Sequence, residues 1–508
     1  MLRRWAPALL GRLALAALAG APATAHAAGQ LRIGLQDDPD SLDPALNWTY
    51  VGRHVLQSMC DKLVDVGADL SLVPMLATGW HWSDDAKTLT LELRDHVTFQ
   101  DGTPFDAAAV KFSLERELTL PGSRRKSEID AIEAVEATGP LAVTIHLSKP
   151  AVPLLAAFAD RPGMIVSPKA ATEAGANFAQ HPVCVGPYRF AERVVQDHIT
   201  LERDPNYWRA GDYTFDRLTY VPISDTAVRL TNLRSGQLDL IEQVQPTDMS
   251  QVKADKSLQG FETMGLGYSG ITFNIANGAR ADNPAGKSAA VRRAISLAID
   301  REAIVQVAFD GRFPAGNQPF PPASPYYDTA LPVPKRDLAG AKAALASAHV
   351  GPVTLELLIP TDPVRAQIGQ MIQAMLAEAG ITVNLVQSEF VSLLDRTRRG
   401  DFQADLIAWS GRVDPDLNIA PLLGCGAAGN DGHFCNADLD AALAAARATP
   451  DPAQRKPAYA KATAVLEDEL PIVYLYHAQW LYAAKAKLQG FRPRPDGIIR
   501  LDGVTLAP

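Results

Sequence analysis

Leu89, Leu91 and Leu93 alternate with Thr88, Thr90, Glu92 and Arg94, the two-residue period of a strand with one buried face. Val97 and Phe99 repeat the alternation, Gln100-Asp101-Gly102-Thr103 reads as a turn, and Asp106 stands where it caps a helix running through Val110 to Arg116. Residues 83–116 therefore predict two strands, a turn and a helix. Further along, 353–359 predicts a strand. Asp362-Pro363 then opens a helix whose Ile368, Met371, Ile372, Met375, Leu376 and Ala379 fall at helical spacing, and Gly380 closes it. Residues 381–386 form the next expected strand, 390–399 a helix closed by Gly400, and 404–409 a third, nearly all-apolar strand. This alternation predicts βαβ units, a parallel sheet with helices on its faces. A second such lobe is expected around 189–239, with strands at 199–203 and 218–223. Turn residues at 265–270 and a return through 474–482 mark the expected crossings between lobes.

Size and charge narrow the reading. Arg3, Arg4 and Arg12 flank a Leu/Ala-rich stretch at 13–21, and Ala25-His26-Ala27 fits small-x-small cleavage before Ala28, the pattern of a secretory signal peptide. The apolar run is shorter than the roughly 20 residues that span a bilayer, and no Cys stands at the cleavage site to take a lipid. Cleavage removes three of 48 Lys and Arg and none of 57 Asp and Glu, which leaves 45 against 57 and a net charge of −12 with His neutral. Nucleic acid is a poor partner for such a surface. The roughly 480 residues that remain exceed a single core, so at least two lobes are expected. Cys425 and Cys435 lie in a Gly-rich loop and predict a local disulfide worth about 2–3 kcal/mol by loop closure. Cys60 and Cys184 admit two readings, buried thiols or a pair that the fold brings together.

Residues 83–116 resemble the hallmark segment of the family 5 solute-binding proteins of ABC importers, which includes dipeptide-, oligopeptide-, glutathione- and nickel-binding members. Val185-Gly186-Pro187-Tyr188-Arg189-Phe190, Asn206-Tyr207-Trp208, 233–239 and 291–301 match the same family in order and spacing; Ala86 and Ala109 depart from it, where Gly and Asp are more usual. The resemblance implies an α/β, two-lobed periplasmic binding protein, type II-like and of cluster C, with an extra subdomain in the N-terminal lobe. The expected division is signal peptide 1–27, first lobe 28–70, extra subdomain 71–184, first lobe again 185–270, second lobe 271–481 and a return to the first lobe at 482–508. The resemblance also implies the 425–435 bridge. Positions 60 and 184 are not usual cysteine sites in that family, so two free buried thiols are expected there.

Ligands of open parallel sheets bind outside the carboxyl ends of the strands, and the 404–409 strand runs out into Ser410-Gly411-Arg412-Val413-Asp414-Pro415-Asp416. Trp409 is a candidate platform for a ligand side chain, with core packing as its other reading. Ser410 is a candidate donor and Gly411 a point of close backbone approach. Asp414 is a further candidate, read otherwise with Asp416 as a turn residue or helix cap around Pro415. In dipeptide- and oligopeptide-binding members the residue after the Trp-Ser/Thr-Gly element is an Asp that pairs with the ligand's α-ammonium group. Here Arg412 stands in that place, which predicts a carboxylate, phosphate or similar anionic group held by a bidentate contact; the other reading turns a surface Arg412 toward Asp414. The resemblance further implies an Arg on the helix after the 353–359 strand as holder of a peptide carboxylate, and Arg365 lies one position, roughly 100° of helix, from that place. Tyr268 is a hydrogen-bonding or hinge residue of the crossing.

Catalytic patterns are missing. The chain has no GxSxG, HExxH or Walker-type loop, and its ten His show no HxH or HxxxH spacing. No catalytic residue, metal site or cofactor is expected. The expected function is the periplasmic solute-binding component of an ABC importer, a monomer that captures a peptide or peptide-like small molecule by two-lobe closure and delivers it to the permease subunits. A secreted hydrolase, a nickel-type metal-chelate binder of the same fold and a sensory receptor are the rival readings.

Overall fold

The computed structural model describes residues 29–507; the expected signal peptide lies outside the described residues. Two large mixed sheets carry the molecule. The first has seven strands in the order Leu258–Met264, Gln479–Lys485, Leu240–Ile241, Gln30–Leu35, Arg217–Pro222, His198–Arg203 and Tyr188–Val194. Its centre is parallel, with Gln30–Leu35 running alongside both Arg217–Pro222 and Leu240–Ile241, and its flanks are antiparallel. The second has five strands in the order Ile381–Ser388, Val353–Pro360, Ala404–Trp409, Tyr268–Phe273 and Ile472–Tyr476. Here the expected parallel βαβ set forms, and two antiparallel strands extend it. Asp362 caps the intervening helix Pro363–Glu378 by accepting from the Arg365 amide at 2.9 Å, and Gly380 leaves it at φ 86°.

The chain passes between the sheets twice, from Leu258–Met264 into Tyr268–Phe273 and from Ile472–Tyr476 into Gln479–Lys485. The two crossings touch. The Gly265 amide donates to the Ala478 carbonyl at 3.1 Å, and His477 Nδ1 lies 2.8 Å from the Gly267 carbonyl. Two short, mutually bonded connections between packed sheets are the construction of a hinge.

A separate four-stranded antiparallel sheet holds Thr88–Leu93, with Leu89, Leu91 and Leu93 buried as the alternation requires. Asp106 caps the helix Ala107–Thr119 through the Ala109 amide at 2.9 Å. The second strand expected at Val97 and Phe99 does not form: the Phe99 amide bonds to the Thr103 carbonyl and Phe105 to Val97, so the turn closes on a single bridge, Thr98 to Pro104.

Cys60 and Cys184 form a disulfide with Cα atoms 5.0 Å apart, which corrects the expectation of two free thiols; Cys425 and Cys435 pair as expected. The reason lies in the hallmark turn. The Gln100 side chain donates to the Met59 carbonyl at 2.9 Å and accepts from the Cys184 amide at 3.0 Å, holding both cysteine segments side by side. Gly186 permits the approach, because a Cβ there would stand 2.0 Å from the Met59 carbonyl oxygen.

Candidate ligand-binding cleft

Between the two large sheets lies a cavity of about 430 Å³. Its wall is built where parallel strands end. Gln36 and Asp37 follow Gln30–Leu35, Ile223 and Ser224 follow Arg217–Pro222, Thr361 and Asp362 follow Val353–Pro360, and Trp409 and Ser410 end the Ala404–Trp409 strand. Gly265, Gly267 and Ala478 of the crossings complete it. The cavity is thus the space that hinge closure would seal, at the strand ends where open sheets bind ligands. Much of the remaining wall is aromatic: Tyr50 stacks on Trp480 with ring centroids 4.4 Å apart, and Trp48 tilts against Trp409 at 5.8 Å.

The charges in this wall fall into two groups. Most are held by the protein. Asp38 accepts from Arg193 at 3.0 Å and from the Gln196 amide at 3.1 Å; Asp225 and Glu389 cap helices; Arg229 donates to the carbonyls of Ile223, Ser224 and Gln243. Two are not. Asp37, just past the end of a parallel strand, has no hydrogen bond or ion pair among the described residues, and burial pushes its carboxyl up to about 7, with Arg365 opposing and Asp362 and Glu242 reinforcing. Arg365, on the first turn of Pro363–Glu378 in the other lobe, has only a loose 3.8 Å contact with Asp362. Burial opposes its charge, and Asp362, Tyr476 and Asp37 more than offset that.

Of the residues singled out in the sequence, Trp409, Ser410, Tyr268 and Arg365 line this cavity. Trp409 is half-buried and its indole N–H is taken by Asn418 at 2.9 Å, so it offers the cleft a ring and no donor. Tyr268 is buried, packed edge-on against Tyr474 at 4.7 Å, and its hydroxyl has no hydrogen-bond partner among the described residues. Gly411, Arg412 and Asp414, expected to meet the ligand, do not line this cavity. Gly411 sits at φ 84° with its Cα against the crossing chain: a Cβ would meet the Leu266 carbonyl carbon at 2.4 Å. Asp414 caps the turn at Pro415 and holds Arg455 through two bonds of 2.9 and 2.7 Å.

Arg412 is buried and points neither to the cleft nor to Asp414. Its Nε lies 2.8 Å from Asp160, its Nη1 donates to the Gly411 carbonyl at 2.9 Å, and its guanidinium stacks over Trp409 at 4.5 Å. Asp160, from the first-sheet side, also meets Arg53 at 2.8 Å and Arg161 at 3.0 Å. Burial opposes the charge on Asp160, yet Arg412, Arg53 and Arg161 together hold its carboxyl well below the usual range. Arg53 and Arg161 belong to the first-sheet side, so the Arg412 to Asp160 pair ties the lobes together. Asp37 and Asp160 went unmarked in the sequence. A carboxylate two residues beyond a parallel strand was the available signal for Asp37; Asp160 had none.

Two sheets, two touching crossings and a cavity at the strand ends define a two-lobed solute-binding protein. The chain belongs to the bacterial extracellular solute-binding proteins, family 5, the solute-binding components of ABC importers: the description of that family's middle region matches residues 71–430. It is similar to the glutathione-binding protein GsiB of Pectobacterium atrosepticum, with 27% identity across 99% of this chain and 98% of the relative. It is also similar to di/tripeptide-binding protein 2 of Pseudomonas aeruginosa, with 27% identity across 97% and 96%. Among solved structures it resembles the binding protein AgaA of A. tumefaciens R10 in complex with agropinic acid, at TM-score 0.85 and 27% identity over 94% of this chain and 99% of that one. Among the described residues, no helix is long and apolar enough to cross a membrane and no cluster of three or more His, Cys, Asp or Glu stands ready for a metal ion.

Proposed function

We propose that the protein is a periplasmic receptor for a peptide or peptide-like solute, exported by its N-terminal segment, acting as a monomer and passing the solute unchanged to an ABC permease. The observation that carries this reading is Arg365. It is a guanidinium in the wall of a 430 Å³ cavity, at the start of a helix, with no close partner among the described residues. Such a group binds a carboxylate through charge-assisted bonds, helped by the positive end of the helix dipole. Aromatic walls from both lobes suit the apolar side chains of a small peptide, and the volume falls in the lower part of the range for drug-sized ligands. The glutathione- and di/tripeptide-binding relatives support a peptide-like solute, and the agropinic acid complex of AgaA supports a carboxylate on it.

Calorimetry with a panel of di- and tripeptides and their C-terminal amides tests this. Free-acid peptides should bind, amides should bind at least about tenfold more weakly, and Arg365→Gln should erase the difference, since a hydrogen bond to a charged group contributes about 1.5–3 kcal/mol. Amides that bind as well as acids would remove Arg365 from the site. Release of cleaved peptide would restore the hydrolase reading.

A further inference from the structure

We propose that Asp37 is the residue that selects the ligand's positive charge, so that the solute carries an ammonium group on the first-lobe side of the cleft and its carboxylate on the Arg365 side. This rests on the reading of the cleft as a peptide-type solute site and adds which end faces which lobe.

Every other acid in or behind this part of the wall is already engaged. Asp38 is held by Arg193, Asp225 by the helix it caps, and Asp362 by the Arg365 amide at 2.9 Å. Glu242, behind Asp37, lies 2.8 Å from His54 and accepts from the Gln36 amide at 2.9 Å. The neighbouring cation Arg229 is spent on three backbone carbonyls. Asp37 alone among these has no protein partner in the described residues, and it lines the cavity. A half-buried carboxylate without a partner is unfavourable, and burial raises its pKa to about 7. A ligand ammonium supplies the missing charge.

The placement gives the residue a second consequence. Asp37 follows a first-sheet strand, whereas Arg365 follows a second-sheet strand. A zwitterion spanning them contacts both lobes and stabilises the closed form over the open one, which is what a closing ligand must do. A ligand with only one of the two charges makes only one of the two ionic contacts and favours the closed form less.

The test uses the full mature protein and two probes: an equimolar pool of uncharged-side-chain di- and tripeptides with free termini, and the same pool N-acetylated. Binding is read by thermal shift and by mass spectrometry of retained peptides. Wild type should retain the free-amine pool and bind the acetylated pool at least tenfold more weakly, and Asp37→Asn should bring the two pools to within about threefold of each other. Equal retention of both pools by wild type would overturn the role of Asp37 while leaving the peptide reading intact. Retention of neither pool would overturn both. The wild-type comparison stands even if the variant does not fold.

Discussion

Asp160 sits in contact with three guanidiniums, and its neutralisation should be among the most damaging single changes outside the apolar core. Arg53 and Arg412 each approach it at 2.8 Å and Arg161 at 3.0 Å, and all four side chains are at most 7% exposed. Asp160→Asn leaves three buried cations without their shared anion. Breaking a buried pair by removing one partner costs about 3–5 kcal/mol, and three orphaned charges put this case at the upper end. Arg412→Met is different, because Asp160 keeps two cations and the variant loses one ion contact and the stacking on Trp409, together about 1–2 kcal/mol. Urea unfolding followed by tryptophan fluorescence at pH 7 should therefore give a clear order, with Asp160→Asn well below Arg412→Met and both below wild type. The gap has a pH signature. Asp160 is held below the usual carboxylate range, so its contribution is fully present above the unfolded value near 4 and is lost as pH falls toward the folded one. The deficit of Asp160→Asn should shrink accordingly in acid. An Arg412→Met cost equal to or above that of Asp160→Asn, or a deficit that is unchanged at pH 3, would refute the network as described.

Three further outcomes follow from other parts of the structure. Ala86 holds φ 53°, a left-handed conformation that glycine adopts without the Cβ penalty, so Ala86→Gly should raise stability by about 0.5–1 kcal/mol in the same unfolding assay; a loss would contradict that backbone assignment. Replacing both Cys60 and Cys184 by Ala opens a 124-residue loop and should cost about 4–5 kcal/mol, against about 2–3 for the 10-residue bridge of Cys425 and Cys435, by loop-closure arithmetic; equal costs would contradict it. Because burial pushes the Asp37 carboxyl up to about 7, affinity for a free-amine dipeptide should rise through pH 7 and fall again as the peptide amine deprotonates near 8. In Asp37→Asn the rising limb should disappear from calorimetric titrations, and its persistence would assign that limb to another group.

The alternating and helical periods between 353 and 409 were legible almost residue for residue, because each strand there buries at least one face and each helix starts at a side-chain cap. Val97 and Phe99 carried the same alternation, but their backbone bonds close around the turn instead of joining a sheet, and hydrophobic period alone does not distinguish the two. The Cys60 to Cys184 bridge depends on Gln100 and Gly186 drawing two distant segments together, a tertiary fact with no local pattern. The strand-end rule pointed to Trp409 and Ser410, which line the cleft, and to Gly411, Arg412 and Asp414, which do not. Their local neighbours suggested one set of partners, whereas Asp414 reaches Arg455 and Arg412 reaches Asp160 across the lobes. Asp37 was hidden for the opposite reason: only after each nearby acid has found its partner does one remain unmatched.

The most direct measurement is native mass spectrometry of the freshly purified protein, followed by release and identification of the small molecules it carries. A solute of peptide-like size bearing both an amine and a carboxylate, one copy per chain and recovered intact, is the predicted result. A bound metal chelate, or a solute lacking any carboxylate, would contradict the account of a cleft built around Arg365 and Asp37.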